Sequence, residues 1–319
     1  METGKNVPLD IKIGVTMIYL SKEEAQQFHT ENTAIALGKF DGIHLGHRLL
    51  IEGLKKEKEK GRQALVFTFG TSPGAVLQGR TSKMIYTQEE KAMYFSKLGV
   101  DVLLEYPFTK EFAACSPEEF VLDYLVKKLG VKSVYVGEDF RFGRCRKGNI
   151  HLLKALGEQN HFEVNALPKK TLHGKVISST MIRDMLETNF SVANEMLGNP
   201  YFVYSPVVHG NHLGRTIGFP TINQVFPEQK LLPAFGVYAS VVRIDGKEYK
   251  GISNLGVKPT IKGKHQAGLE THLLDFSGDL YGKKLQTRLL QFIRPEEKFA
   301  NIEELKKQIK NDILQIQQI

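Results

Sequence analysis

The 319-residue chain contains no tryptophan and only two cysteines, Cys115 and Cys145. Two distant thiols encode neither a disulfide framework nor a Cys-rich zinc site, and their scarcity fits a reducing compartment. Long apolar runs are missing as well, since no stretch approaches the roughly 20 residues that span a bilayer. The N-terminal METGKNVPLDIKIG has neither the apolar centre nor the cleavage pattern of a secretion signal. The expectation is a soluble, cytoplasmic protein. Internal repeats and low-complexity tracts are also absent, so no repeat architecture is encoded. What remains is an ordinary globular balance, 41% hydrophobic and 24% charged, in a length that suggests two domains.

Negative charge is the scarcer sign: 43 Lys and Arg face 35 Asp and Glu, a formal charge of +8. Such an excess serves a nucleic-acid surface or pockets for polyanionic small molecules such as ATP. The basic residues are dispersed through KKEKEKGR (55–62), RFGRCRKG (141–148) and Lys169–Lys170, several of them beside glycines. That spacing suits phosphate cradles better than a stripe tracking a duplex. An RNA-binding regulator would need exposed aromatics interleaved on one basic face; the sequence shows none, and no nucleic-acid or membrane partner is expected.

Residues 33–187 alternate apolar runs with amphipathic stretches. TAIALG (33–38), ALVFTFG (64–70), DVLLEY (101–106) and SVYVG (133–137) read as buried strands, each followed by a helical pattern. Thr87 with Glu90 and Ser116 with Glu119 form capping boxes, and Pro117 occupies a first helical position. The alternation predicts an α/β domain, a Rossmann-like parallel sheet with helices on both faces and ligands beyond the carboxyl ends of the strands. After residue 197 the texture changes. VYASVVRI (237–244), Asp245-Gly246 and KEYKGISNLG form a hairpin signal, and LETHLLDF (269–276) and LQTRLLQFI (285–293) continue the alternation. A last helix runs from a cap at Asn301 to about Ile316. This half reads as a small antiparallel β-barrel closed by one helix, with domains spanning 1–190 and 191–319.

GKFDGIHLGH (38–47) follows the first of these strands and opens a helix. His44 and His47 lie one turn apart, where backbone N–H groups and the helix dipole also point. Two imidazole donors there make a polyphosphate site; the competing readings are ordinary polar residues or half of a metal pair. In the second half, VVHGNHLGRTIGFPTIN (207–223) places Gly210, Gly214 and Gly218 around Arg215 and runs into Thr221 and Asn223. A glycine-rich basic loop of this kind can fold over a nucleotide phosphate while two neutral oxygens hold Mg²⁺. It can also be a barrel turn with no ligand.

GKFDGIHLGH resembles the HxGH signature of nucleotidyltransferases in the form found in bacterial FAD synthetases. The resemblance continues through YPFTKEFAACSPEEFV (106–121), VGEDFRFGRCRKGN (136–149) and ISSTMIR (177–183). VVHGNHLGRTIGFPTIN resembles the riboflavin kinase signature, as do HLLDFSGDLYG (272–282) and RPEEKF (294–299). The chain is thus similar to bacterial bifunctional riboflavin kinase/FMN adenylyltransferases. That likeness implies ATP-dependent phosphorylation of riboflavin to FMN in the C-terminal half and adenylylation of FMN to FAD in the N-terminal half. It assigns Gly38, Phe40, Asp41, Gly46, Arg141, Ser179, Thr180 and Arg183 to ATP, with His44 and His47 catalytic. In the kinase half it assigns Gly210, Arg215 and Tyr281 to ATP, Thr221 and Asn223 to Mg²⁺, Glu270 to the base, and Arg294 and Phe299 to flavin. The chain departs from the family pattern at TFGTSP (68–73, usually TFxPHP), at Ser205-Pro206 and at Ile222 of PTIN. These departures keep open an adenylyltransferase whose barrel only binds.

Overall fold

A computed structural model of the chain describes residues 17–70, 83–210, 213–259 and 265–319. The chain packs as two compact units, 1–82 with 86–178 and 83–85 with 179–319.

The first unit is built on a six-stranded sheet in the order β1-β4-β3-β2-β5-β6, every pair parallel. The strands are β1 (Ile18–Ser21), β2 (Thr33–Leu37), β3 (Gln63–Phe69), β4 (Val102–Tyr106), β5 (Val131–Gly137) and β6 (Glu163–Leu167). The four strands marked by apolar runs are all present. β1 and β6 carry weaker patterns and lie at the edges, where one side needs no partner and a continuous apolar run is not required. Strand alternation splits the core into two layers. Ile35, Leu37, Leu65, Phe67, Val102 and Leu104 face one side, and Ala34, Ala36, Ala64, Val66 and Leu103 the other.

The alanines on that second face leave room for helix α2 (Leu45–Lys58) after a short α1 (Lys22–Gln27). α2 approaches so closely that a Cβ on Gly53 would stand 2.2 Å from the Tyr135 ring. Helix α3 (Gln88–Lys97) opens with the Thr87–Glu90 capping box, and the Ser116–Glu119 box opens α5 (Pro117–Glu119) after α4 (Lys110–Ala114). α5 runs on as a π-helical stretch, Phe120–Lys128. α6 (Ile150–Gln159) leads to β6, and a two-residue hairpin, β7 (Thr171–Leu172) and β8 (Lys175–Val176), closes the unit.

The second unit begins with α7 (Ser179–Thr188) and α8 (Phe190–Leu197) and continues as a closed antiparallel barrel in the order β10-β13-β12-β11-β14-β9. Its strands are β9 (Tyr201–Val208), β10 (Thr221–Val225), β11 (Gly236–Ile244), β12 (Lys247–Pro259), β13 (His265–Leu273) and β14 (Lys284–Arg294). A short α9 (Leu213–Thr216) precedes β10, and α10 (Ile302–Gln317) ends the chain. Asp245 and Gly246 both take positive φ, 49° and 87°, as a two-residue hairpin turn requires. The barrel interior is partly polar, with hydroxyls linked in chains: Ser253 Oγ donates to Ser240 Oγ at 2.7 Å and shares a bond with Thr271 Oγ1 at 2.7 Å. Gln224, buried beside Ser205, donates to the Ser205 and Leu285 carbonyls.

Candidate active sites

In the first unit the chain order defines where a ligand belongs. β2 pairs with β3 on one side and with β5 on the other, so the connections leaving β2 toward β3 and leaving β5 toward β6 diverge and open a crevice at their carboxyl ends. GKFDGIHLGH lies on one lip. Phe40 and Ile43 adopt positive φ, 49° and 43°, which side chains of this bulk rarely do. Both are fully buried, so packing holds the turn. Phe40 stands edge-on to Phe95 at 5.4 Å and tilted against His47 at 5.0 Å.

This turn delivers His44 to the N-cap of α2, where its Nδ1 accepts from the backbone N–H of His47 at 3.4 Å. The two imidazoles stack, 3.7 Å between ring centroids and 19° from parallel. A Cβ on Gly46 would come to 3.2 Å from the His44 ring, and one on Gly38 to 3.2 Å from the Phe40 ring. The glycines therefore serve the close approach of the rings. Burial lowers the His44 pKa to about 4 against the pull of Asp41. Desolvation, and then the neighbouring His44, hold His47 well below the ordinary imidazole value. Both rings are neutral at pH 7. With Nδ1 accepting, the His44 proton sits on Nε2. Nδ1 of His47 is shut off from solvent with no hydrogen-bond partner among the described residues.

Arg141 follows β5 on the opposite lip and is exposed, together with Arg144, Arg146 and Lys147. Gly143 turns this loop with φ 67°, passing so near α5 that a Cβ would meet the Pro117 nitrogen at 2.7 Å. α3 adds residues that no sequence motif marks. Its positions 91, 94 and 95 share one face: Phe95 meets Phe40, and Tyr94 accepts a hydrogen bond from Arg48, next to His47. Lys91 is 3% exposed, and burial lowers its pKa against the charges of Glu105 and Asp41. Glu105, at the end of β4, accepts from the Tyr19 hydroxyl at 3.0 Å. Of TFGTSP, residues 71–73 lie outside the described residues. Ser179, Thr180 and Arg183 occupy the first turns of α7, which packs with the second unit.

In the second unit, strand register assembles the site. Asn223 on β10 and Asn254 on β12 are the two direct cross-strand partners of Glu270 on β13. Directly opposed residues have Cβ atoms about 5 Å apart and share a face. The next row on that face is Thr221, His272 and Ile252. His272 Nδ1 bonds the Pro220 carbonyl at 2.8 Å, fixing the start of β10.

Two pockets meet at Thr221. One, of about 470 Å³, holds Arg215, Thr221, Ile222, Asn223, Asp279 and Tyr281. The other, of about 320 Å³, holds Thr221, Asn254, Glu270, Arg294, Glu296 and Phe299, with Leu305 and Ile309 of α10 as part of its wall. Gly210 lies against the Asn223 amide, since a Cβ there would stand 2.5 Å from it. His209 stacks on Tyr281 at 3.9 Å. Arg294 is committed to the protein: it binds both oxygens of buried Asp312 at 2.9–3.2 Å and lies 5.6 Å from the Phe299 ring centre. Among the described residues no cluster of three or more His, Cys, Asp or Glu could hold a metal ion.

Comparison with known proteins agrees with this division. The FAD synthetase family model matches residues 26–181, and the riboflavin kinase family model matches residues 197–319. A bifunctional riboflavin kinase/FMN adenylyltransferase from Escherichia coli K12 is 40% identical over 89% of this chain and 91% of its own. The chain belongs to that bifunctional family. The corresponding protein of Listeria monocytogenes is 38% identical over 88% of this chain and 90% of its own. A crystal structure described as a macrolide-efflux protein from Streptococcus pneumoniae superposes with a TM-score of 0.83 at 31% identity, over 93% of this chain and 97% of that one. Among the described residues no helix is long and apolar enough to cross a membrane. The first family model takes in the His44–His47 loop, Arg141, Ser179 and Thr180 and ends before Arg183; the second takes in the whole barrel and α10.

Proposed function

We propose that this chain makes FMN from riboflavin and ATP on the barrel, and FAD from FMN and ATP on the parallel-sheet unit. The observation that carries the reading is the pair of pockets meeting at Thr221 with Glu270 directly across from Asn223. One pocket suits a nucleotide, with Arg215 and Gly210 toward its phosphates and Tyr281 flanking the base. The other suits the flavin, with Phe299 and α10 against the ring system and Arg294 holding that wall in place. Glu270 stands where the two meet, placed to take the proton of the ribityl 5′-hydroxyl as its oxygen attacks the γ-phosphorus. Thr221 and Asn223 would hold Mg²⁺, which would neutralise charge on the transferred phosphoryl group.

In the other unit, the FMN phosphate attacks the α-phosphorus of ATP and pyrophosphate leaves. No base is needed, because the nucleophile is already an anion. The work is charge stabilisation. Neutral His44 donates from Nε2, His47 adds a second N–H, and the α2 N-terminus supplies backbone donors. Gly38, Phe40, Asp41 and Gly46 shape this loop, and Arg141 is a proposed ATP ligand. All substrates are soluble small molecules, and the setting proposed for the reaction is the cytoplasm.

The test is a chromatographic product profile with Mg-ATP. Riboflavin should give FMN and then FAD, and FMN alone should give FAD with pyrophosphate. FAD from FMN but no FMN from riboflavin would leave the barrel a binding module.

A further inference from the structure

Four carboxylates border the flavin pocket: Glu270, Glu296, Glu297 and Asp312. Two of them are answered by Arg294, which binds Asp312 at 2.9 Å and reaches Glu297 at 3.7 Å. Glu296 differs. Among the described residues no cation pairs with it, and its hydrogen bond comes from Asn254 Nδ2 at 3.1 Å. Because Asn254 is a direct cross-strand partner of Glu270, that bond brings Glu296 alongside the base. Gly256 makes the room: a Cβ there would stand 2.3 Å from Glu296 Oε1. The end of the pocket where phosphate is transferred thus holds two neighbouring carboxylates, one of them without a counter-charge.

We propose that Glu296 makes this pocket selective for an uncharged, polyhydroxylated flavin and drives out the phosphorylated product. The proposal rests on the kinase reading above. Carboxylate oxygens accept hydrogen bonds from ribityl hydroxyls, so the neutral substrate meets no penalty. A phosphomonoester at the same end faces two like charges; Glu296 is exposed, so its repulsion acts through solvent and is screened by salt. Once the nucleotide and its metal have left, no cation among the described residues pairs with Glu296, since Arg294 is engaged by Asp312 and Glu297. One residue then leaves the substrate unopposed and disfavours the product, the difference on which specificity rests.

The test measures ADP release by the full chain from riboflavin and Mg-ATP with FMN added. Adenylyl transfer releases pyrophosphate, so ADP reports the kinase alone. Glu296→Gln keeps an acceptor for Asn254 and removes the charge. It should tighten inhibition by FMN on the order of 10-fold while the KM for riboflavin stays within about 2-fold. The tightening should shrink as salt is added. Gly256→Ala, which pushes the carboxylate aside, should shift FMN inhibition the same way by a smaller factor. Unchanged FMN inhibition in Glu296→Gln, or a riboflavin KM that moves in step with it, overturns the proposal. A wild-type protein that releases no ADP would instead sink the kinase reading itself.

Discussion

The two halves solve phosphate chemistry with opposite materials. The parallel-sheet unit gathers its central groups from one contiguous turn, residues 38–47, strained at Phe40 and Ile43 and ending in two stacked, neutral imidazoles. The barrel gathers its groups from strands far apart in sequence, with Glu270 between Asn223 and Asn254, and its smaller pocket, proposed for flavin, is bordered by carboxylates. One half needs only donors, because its nucleophile is already charged. The other must remove a proton and so needs a base. If this contrast is right, the two halves should fail separately and in different ways.

The largest effect should come from Glu270→Gln. Glutamine keeps the shape of the side chain but cannot take the hydroxyl proton, so FMN formation should fall by ~100- to 10,000-fold. Riboflavin affinity, measured by flavin fluorescence titration, and FAD formation from FMN should both hold. A parallel loss of riboflavin binding would make Glu270 a binding residue.

Next in size is His47→Ala, with an expected loss of ~100- to 1,000-fold in FAD formation, the usual consequence of removing one donor from such a site. FMN formation should be untouched. Loss of both activities in a folded variant would show that the halves are not chemically independent, and the contrast would collapse.

These two residues also show how far the sequence carried. The strands of the inner sheet, the capping boxes at Thr87 and Ser116, the Asp245-Gly246 turn and the α10 cap at Asn301 were all legible, because each depends on neighbours within a few residues. His44 and His47 were legible for the same reason. Asn254, Glu296 and Lys91 were not. Asn254 matters through strand register, Glu296 through an amide on another strand, and Lys91 reads as a solvated helical charge until tertiary packing buries it. The edge strands β1 and β6 escaped because an edge does not impose a continuous apolar pattern.

A smaller effect separates the halves by pH. His44 takes up a proton near pH 6.5 when unfolded and only near 4 when folded. Between those values the unfolded chain binds more protons, so stability falls as pH drops through that window. Going from pH 7 to pH 5 should cost about 2 kcal/mol from this residue, at 1.36 kcal/mol per pH unit of unequal protonation. His44→Gln, which cannot titrate, should lose less stability over the same interval in urea denaturation. An identical acid loss in the variant would show that His44 is not held neutral by the fold.

The smallest expected catalytic effect belongs to Ile222, where the family pattern has alanine. In sequence it stands beside the phosphate loop and invites the thought that its bulk crowds the nucleotide. Strand alternation places it otherwise. Thr221 and Asn223 share the face with Glu270, whereas Ile222 is paired with Thr271, whose hydroxyl lies inside the barrel, and packs against the apolar cluster of Val207, Leu273 and Leu280. It lines the same pocket as Arg215, Thr221 and Asn223, but from the strand face opposite to the one that carries Thr221 and Asn223. Ile222→Ala should therefore remove packing and cost ~1–2 kcal/mol of stability, below the usual range for a fully buried isoleucine because this one is only partly buried. The rate of FMN formation should change by less than ~3-fold, as expected when no group in the reaction is moved. A clear rise in kinase turnover with unchanged stability would return Ile222 to the phosphate site and make the isoleucine a brake on this half of the enzyme.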